Sequence, residues 1–322
     1  MMKKTLIVLL IAVFAAGVLL GGAGYFMVNY ALLPAALETH SRQTEDSYNA
    51  LYREYPETKP WIDSLKAANA LQELYMESEQ DGTRLHALYV KAARPTRRTA
   101  VIVHGYTDNA VGMLPIGYMY SRQLGYNILL PDLHAHGLSG GEAVRMGWLD
   151  RLDVLEWMDE ACRLFGDSVQ MVVHGISMGA ATTMMVSGEA QRQMPYVKCF
   201  VEDCGYTSVW DEFKGELKSQ FHLPAFPLLN VASLLCQWRY GWNFQEASSL
   251  EQVKRCALPM FFIHGDADSY VPTWMVYPLY EAKPEPKELW LVPGAAHAVS
   301  YKENKAEYTR RVGAFVSRYI ND

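Results

Sequence analysis

The stretch VVHGISMGAA, residues 172–181, places a serine between two glycines directly after an apolar run. Ser177 therefore stands in the pattern G-x-S-x-G, in which a serine occupies a strained turn between a strand and a helix. Glycines on both sides let neighbouring backbone pass close to such a turn. The same pattern also arises by accident in glycine-rich turns. The surrounding sequence has to decide between a catalytic nucleophile and an ordinary turn serine.

Short apolar runs alternate with helical stretches on both sides of this motif. LQELYMES and LHALYV flank the turn EQDGT and predict an antiparallel hairpin. The further strand-like runs are TAVIVHG, YNILLPD, VQMVVHG, YVKCFVEDC, PMFFIHGDAD and ELWLVPG. This alternation predicts an α/β fold with a mostly parallel sheet and helices on both faces, since continuously apolar strands need burial on both sides.

Candidate partners for the serine follow later strands of the chain. A serine nucleophile needs a base that accepts its proton and an acid that orients the base. Among nine histidines, His297 in VPGAAHAVS follows the last predicted strand, whereas several others directly precede glycines and are expected to be structural. HGDADSYVP offers two acids, of which Asp268 is placed to reach His297 and Asp266 to cap the turn. The order Ser177, Asp268, His297 is then nucleophile, acid, base.

Two backbone amides are candidates for an oxyanion hole. The amide of Met178 lies at the start of the helix predicted after Ser177, where the helix dipole favours negative charge. The amide of Tyr106 lies in the turn HGYTDN after an earlier strand. Both positions are suggested by the backbone path, because the side chain matters little for an amide donor.

Five ordered segments carry a resemblance to a known family: HGYTDN, DLHAHGLSGG, HGISMGAA, HGDADSYVP and GAAHA. They resemble the successive signature segments of the α/β-hydrolase superfamily. The branch they resemble most contains bacterial membrane-anchored hydrolases related to carboxylesterases and to serine peptidases of the prolyl oligopeptidase kind. The resemblance covers about residues 70–320, and in DLHAHGLSGG it departs from the family because His134 replaces the usual arginine. It implies a triad of Ser177, Asp268 and His297, an oxyanion hole at Tyr106 and Met178, and acyl transfer with no metal or organic cofactor.

The N-terminus is typical of a membrane segment. TLIVLLIAVFAAGVLLGGAGYFMV, residues 5–28, carries no charge, and as a helix it is about 36 Å long, enough to span a bilayer core with tilt. Lys3 and Lys4 favour a cytoplasmic start, which predicts a single-pass cell-membrane anchor with the catalytic part outside the cytoplasm. The alternative is a cleaved signal peptide and a secreted protein, with small residues near a cleavage site at 21–24.

The predicted organisation is a membrane anchor or signal segment (1–33), a helical linker (34–69) that is a stalk or docking segment, and an α/β-hydrolase domain (70–322). Within the domain, about 214–250 is too long for a simple crossover and rich in large apolar residues, which predicts a helical cap. Ordinary core packing is the alternative role for these apolar residues. The candidate acyl-pocket residues in the cap are Phe221, Leu223, Phe226, Leu228 and Leu229.

Composition limits the possible partners. Half of the 322 residues are hydrophobic, the formal charge is only −6, and no long basic run occurs, so a nucleic-acid partner is not expected. The five cysteines are scattered without metal-type spacing, which disfavours a zinc site or a disulfide framework, although one pair could bridge.

The leading hypothesis is therefore a serine carboxylesterase or lipase-like enzyme that acts on a small-molecule ester or acyl substrate. A peptidase or amidase using the same triad is the rival enzyme. A third hypothesis is an anchored binding protein on a hydrolase fold that has lost catalysis, because a fold alone does not establish activity.

Overall fold

The structure is a computed structural model that describes residues 2–33, 44–190 and 194–321. In these ranges eight strands form one sheet: β1 (Gln72–Glu77), β2 (Arg84–Val90), β3 (Arg98–Val103), β4 (Asn127–Asp132), β5 (Gln170–Ile176), β6 (Val197–Asp203), β7 (Met260–Gly265) and β8 (Lys287–Val292). The α-helices of the same ranges are α1 (Met2–Leu32), α2 (Thr44–Glu54), α3 (Lys59–Ala67), α4 (Leu114–Tyr118), α5 (Asp150–Phe165), α6 (Met178–Ala190), α7 (Val209–Phe221), α8 (Leu228–Tyr240), α9 (Ser249–Val253), α10 (Val276–Ala282), α11 (Ser300–Glu303) and α12 (Lys305–Val316).

The sheet is mixed but mostly parallel. Its order is β1-β2-β4-β3-β5-β6-β7-β8. β1 and β2 form the predicted antiparallel hairpin, β2 is also antiparallel to β4, and the remaining neighbours are parallel. Because β5, β6, β7 and β8 run in the same direction, their carboxyl ends meet at one edge of the sheet, where functional sites of α/β folds form.

Both faces of the sheet are buried, as the apolar runs predict. On β3, Val101 and Val103 belong to the core under one face, whereas Ala100 and Ile102 belong to the core under the other. Side chains alternate across a strand, so a strand buried on both faces has to be apolar at every position. This burial confirms the predicted α/β class.

Helix α1 is apolar and long enough to cross a membrane, with the candidate span running over Lys4–Leu32. Its first turns are exposed, but Val28 and Leu32 are buried in a core of the α/β domain. The end of the predicted anchor is therefore packed into the domain. The sequence pattern did not indicate this contact, because the run is apolar all round and has no distinct packing face.

The predicted linker is described from residue 44 onward; residues 34–43 lie outside the described residues. Helices α2 and α3 pack on the domain, where Ile62 is fully buried and the Trp61 ring meets the Tyr118 ring edge-on at 5.5 Å between centroids. This part of the chain docks on the domain and does not project from it as a stalk.

The interval between β6 and β7 contains α7, α8 and α9. Ser208 caps α7 because its hydroxyl accepts from the amide of Asp211 at 3.1 Å, and Gly241 ends α8 with a positive φ of 79°. The predicted cap, 214–250, thus holds most of α7 and all of α8. Both helices cover the end of the sheet where Ser177 lies.

Candidate active site

Ser177 lies on a sharp turn between β5 and α6. Its φ is +57°, in the left-handed region that is costly for a serine. A Cβ on Gly175 would lie 2.0 Å from the carbonyl oxygen of Gly179, and one on Gly179 would lie 2.1 Å from the carbonyl oxygen of Val103. Both flanking positions therefore require glycine. The strained turn holds the serine hydroxyl out at the carboxyl edge of the sheet.

A chain of two hydrogen bonds connects Ser177 with His297 and Asp268. Ser177 Oγ lies 2.8 Å from His297 Nε2, and His297 Nδ1 lies 2.7 Å from Asp268 Oδ2. The carboxylate accepts from Nδ1, which leaves Nε2 of the neutral ring as an acceptor for the serine proton. Asp268 follows β7 and His297 follows β8, so the parallel strands bring together residues far apart in the sequence.

Asp268 is held as a carboxylate by several donors. Its Oδ1 accepts from the amides of Tyr270 and Val271, each at 3.0 Å. Burial acts to raise the pKa of Asp268, but the hydrogen bonds from His264 and His297 outweigh burial, and the net pKa is below its usual value. A negative charge is therefore stable beside His297.

Asp266, the other acid of HGDADSYVP, lies elsewhere. Its Oδ1 accepts from the amide of Gly294 at 2.6 Å and fixes the turn after β8. The structure thus brings Asp268 to His297 and gives Asp266 a turn-capping contact.

The two candidate oxyanion donors flank the serine. Met178 is the first residue of α6, and the turn after β3 passes so close that a Cβ on Gly105 would lie 3.4 Å from Ser177 Cβ. In the described ranges, the amides of Tyr106 and Met178 have no hydrogen-bond acceptor in the protein. Two amides without an acceptor therefore lie in the segments next to Ser177.

An apolar pocket opens beside Ser177, with an empty volume of about 850 Å³ that includes its open mouth. Of the five predicted pocket residues, the structure brings Phe221, Leu228 and Leu229 to the pocket. Leu223 and Phe226 do not line the pocket; they lie in the turn between α7 and α8 and are 41% and 75% exposed.

The pocket also has walls that sequence reasoning missed. Helix α1 contributes Met27, Tyr30 and Ala31. Other lining residues are Met146, Tyr206, Phe213, Leu217, Phe244 and Tyr270. The cluster of aromatic residues at the end of the apolar run was the one sequence signal that set this part of α1 apart.

Glu212 is a buried acid in this apolar wall. Burial raises the pKa of Glu212 well above its usual value, and the nearby Glu216 adds to the effect. Its Oε2 has no hydrogen-bond partner among the described residues. Burial therefore favours the neutral carboxyl of Glu212, which can donate or accept a hydrogen bond.

Cys204, Asp268 and His297 could in principle hold a metal ion, because one ligand atom from each lies within 4.8 Å of the others. However, burial raises the pKa of the Cys204 thiol well above its usual value, and His297 Nδ1 is already bonded to Asp268. A thiolate ligand is therefore disfavoured here.

Other histidines have structural partners. His174 lies between the hydroxyls of Tyr120 and Tyr308 at 3.1 and 3.0 Å, and burial lowers its pKa to about 3. His134, which replaces the family arginine, lies 3.5 Å from Asp81, in a different hollow from the one that holds Ser177.

Comparison with known proteins places this geometry in context. Residues 144–322 match the model of the prolyl oligopeptidase family. The protein YqkD of Bacillus subtilis (strain 168) is 29% identical over 234 residues, which cover 73% of this chain and 75% of YqkD.

Two solved structures show the same fold. The esterase Pf2001 of Pyrococcus furiosus aligns with a TM-score of 0.63 at 23% identity, over 80% of this chain and 96% of the esterase. The acylaminoacyl peptidase of Pyrococcus horikoshii aligns with a TM-score of 0.58 at 17% identity, over 82% of this chain and 43% of the peptidase. These similarities confirm the predicted α/β-hydrolase fold.

Proposed function

Because the chain belongs to the prolyl oligopeptidase family and is a serine hydrolase of the α/β-hydrolase type, we propose that it cleaves carboxylic esters through Ser177. The observation that carries the proposal is the hydrogen-bonded chain from Ser177 through His297 to Asp268, which opens onto an apolar pocket. A nucleophile, a base and an orienting acid in hydrogen-bond contact are the arrangement that acyl transfer requires.

The first step acylates the serine. Ser177 Oγ attacks the ester carbonyl carbon while His297 Nε2 takes the hydroxyl proton, and Asp268 stabilises the imidazolium that forms. The amides of Tyr106 and Met178 donate to the carbonyl oxygen as it becomes an oxyanion. The alcohol then leaves with the proton from His297, and the acyl group remains on Ser177.

The second step releases the acid. A water molecule attacks the acyl carbon while His297 takes its proton, and the same two amides stabilise the second oxyanion. Collapse of this intermediate returns the proton to Ser177 Oγ and frees the carboxylic acid. The residues described here supply every proton transfer in both steps.

The lining of the pocket favours an uncharged acyl group. In the described residues no lysine, arginine or histidine lines it, and its acids are Glu212 and Glu216. A phosphorylated or otherwise anionic group would lie beside these acids without a cationic partner. Apolar side chains, by contrast, bind a hydrocarbon chain by removing it from water.

A peptidase or amidase is the second candidate, and the family match favours it. The same triad can cleave an amide, and an acylaminoacyl peptidase shares the fold. The two candidates differ in the leaving group, so substrate preference separates them.

We also propose that α1 anchors the protein in the cell membrane with the catalytic part outside the cytoplasm, as in the membrane-anchored bacterial branch that the sequence resembles. The length and hydropathy of α1 support this, as do Lys3 and Lys4 at its start. Protease digestion of sealed, right-side-out cells tests it: degradation of the catalytic part supports an outside location, and protection contradicts it.

The test of the proposed activity is labelling of the full chain in detergent with a fluorophosphonate probe. We expect the wild type and the surface control Ser317→Ala to label, and Ser177→Ala and His297→Ala to fail. If the wild type is folded but does not label, this would instead support the hypothesis of an anchored binding protein that has lost catalysis. A panel of esters and matched amides then measures kcat/KM; higher values for amides would favour the peptidase.

A further inference from the structure

The last turns of α1 have a buried face, unlike the rest of the helix. The helix is exposed from Lys4 to Leu19, whereas Gly24, Val28 and Leu32 are buried. These three residues are four apart and lie on one face of the helix. The face is directed at the cap and the sheet, so α1 has an exposed part and a docked part.

The docked part fits closely against cap helix α8. A Cβ on Gly24 would lie 2.8 Å from Val231 Cγ1 and 3.3 Å from the amide nitrogen of Ala232, so a larger residue would push α8 away from α1. Farther along, Arg239 donates to Asn29 Oδ1 at 2.9 Å. The packing against α8 therefore gives a structural reason for the small residue at position 24, and a signal-peptidase cleavage site is not needed to explain it.

The docked part is also a wall of the pocket. Met27, Tyr30 and Ala31 line the pocket together with the cap residues Leu228 and Leu229. The Tyr30 ring meets the Phe221 ring edge-on at 5.5 Å between centroids. Without these turns, the acyl pocket would be open on this side.

One contact joins this wall to the candidate oxyanion hole. The hydroxyl of Tyr106 donates to the carbonyl oxygen of Ala31 at 2.9 Å. That carbonyl is among the last of α1, which have no acceptor role within the helix. The residue whose amide faces the reacting carbonyl is thus held in place by the end of α1.

The length of the exposed part sets the depth of the pocket relative to a bilayer. Residues 4–23 form a helix of about 30 Å, the thickness of a hydrocarbon core. The pocket wall at 27–31 then begins about 6 Å beyond the core, in the headgroup region, and ends about 12 Å beyond it.

Exposed aromatic and apolar side chains surround the base of α1. Tyr25 and Phe26 are exposed on α1, and Leu234 and Trp238 are exposed on α8, with Trp238 84% exposed. On the helical wheel, Leu234 and Trp238 lie beside the α8 side chains that contact Gly24. Aromatic residues at this level are typical of a membrane interface. This exposed apolar surface is continuous with the exposed part of α1. The continuity indicates that lipid covers it.

We propose that the last two turns of α1 are a permanent wall of the acyl pocket, and that the pocket takes its acyl chains from the bilayer that the preceding turns cross. The substrate class is a membrane-resident ester with a long acyl chain. This inference rests on the proposed ester hydrolysis and adds to it the source of the substrate and a role for the anchor.

The first test changes the wall by Ala31→Phe, with Ala23→Phe as the matched control on an exposed position of the same helix. The readout is the ratio of kcat/KM for dodecanoyl and acetyl esters of one fluorogenic alcohol. We expect Ala31→Phe to lower this ratio by about tenfold or more, the factor for lost burial of about two methylene groups. Ala23→Phe should keep the wild-type ratio. Equal ratios in the two variants would contradict the proposal that α1 forms a wall of the acyl pocket.

A second variant covers the case in which Ala31→Phe does not fold. Met27→Ala shortens the wall without adding bulk, and we expect it to lower the same ratio by about threefold or more because the chain loses apolar contact. Fluorophosphonate labelling shows whether each variant is folded. A labelled Met27→Ala with the wild-type ratio would contradict the wall.

The second test asks where the substrate comes from. The full chain is reconstituted in phosphatidylcholine vesicles, and a palmitoyl ester is placed either in the same vesicles or in separate ones. We expect hydrolysis about tenfold or more faster in the same vesicles, since a shared membrane raises the effective concentration. Equal rates of hydrolysis in shared and separate vesicles would contradict the proposal that the substrate comes from the bilayer. A soluble acetyl ester serves as the control; failure to hydrolyse it would count against the proposed function itself.

Discussion

Replacing Asp268 by asparagine is expected to abolish most of the activity without unfolding the protein. Oδ1 of Asp268 accepts from the amides of Tyr270 and Val271, so the amide oxygen of an asparagine has to stay there. Its NH₂ group then takes the place of Oδ2, which lies 2.7 Å from His297 Nδ1. Two donors cannot share this hydrogen bond, so Nδ1 becomes the acceptor and the ring proton moves to Nε2.

The wrong tautomer removes the base. A protonated Nε2 faces Ser177 Oγ at 2.8 Å and cannot accept the serine proton. Loss of this kind lowers kcat by about 10⁴-fold in a serine triad, or about 5.4 kcal/mol of transition-state stabilisation. The hydrogen bonds from the two backbone amides are kept, so the melting temperature should change little.

The assay is kcat on a soluble acetyl ester together with the melting temperature. Asp266→Asn is the matched control, because its amide oxygen can still accept from Gly294, and we expect kcat within about threefold of the wild type. An Asp268→Asn enzyme that keeps more than about a tenth of the wild-type kcat would refute the tautomer reasoning. So would an Asp266→Asn enzyme that is equally impaired.

Three further tests, two of them with a control substitution, address the fold and its electrostatics. Gly179→Ala brings a Cβ to 2.1 Å from a backbone oxygen and should lower the free energy of unfolding by about 3 kcal/mol or more, whereas Gly215→Ala, in open space on α7, should raise it by about 0.5–1 kcal/mol. Ile62→Ala should cost about 2–5 kcal/mol because Ile62 is fully buried, whereas the exposed Leu223→Ala should cost much less. Burial raises the pKa of Glu202 from its usual 4.5 to about 8, so between these pH values the folded state keeps a proton that the unfolded chain releases, and stability falls as the pH rises. Glu202→Gln removes this dependence. As the pH rises through this range, the free energy of unfolding of Glu202→Gln should increase relative to the wild type by about 1 kcal/mol per pH unit. Denaturant unfolding, repeated at pH 5, 6.5 and 8 for Glu202→Gln, measures all three.

Each of these expectations has an opposite outcome that counts against it. Equal stability of the two glycine variants would mean that the backbone at 179 is looser than described. An Ile62→Ala protein as stable as the wild type would mean that α3 is not docked on the domain. A Glu202→Gln variant whose advantage does not change with pH would show that Glu202 is ionised in the folded state.

The sequence predicted the sheet for a physical reason, and the same reason explains why Ser177 could be singled out as a candidate. Strands buried on both faces are apolar at every position, and the strained turn at Ser177 needs glycines at 175 and 179. Both features can therefore be recognised from the residue types alone. The parallel strands then bring His297 and Asp268 to the same edge, which follows from topology alone.

The walls of the pocket could not be predicted in the same way. An apolar residue such as Leu223 fits a pocket, a core or an exposed turn equally well, and the path of the chain decides which. The docking of α1 is even harder to predict from the sequence. A helix that is apolar all round shows no periodicity to indicate that Val28 faces a core. Only the tertiary structure relates Ala31 to Tyr106.

The contact between α1 and α8 has a consequence for biosynthesis. Asn29 and Arg239 are separated by 210 residues along the chain, yet α1 leaves the ribosome first. Its docking face must stay without a partner until α8 has been translated, and in water such a face would favour aggregation. We expect the lipid to shield it during this interval, so insertion of α1 in the membrane precedes completion of the core. Nascent chains released at residue 226 should then stay soluble only when membranes are present, and equal solubility without membranes would contradict this order of events.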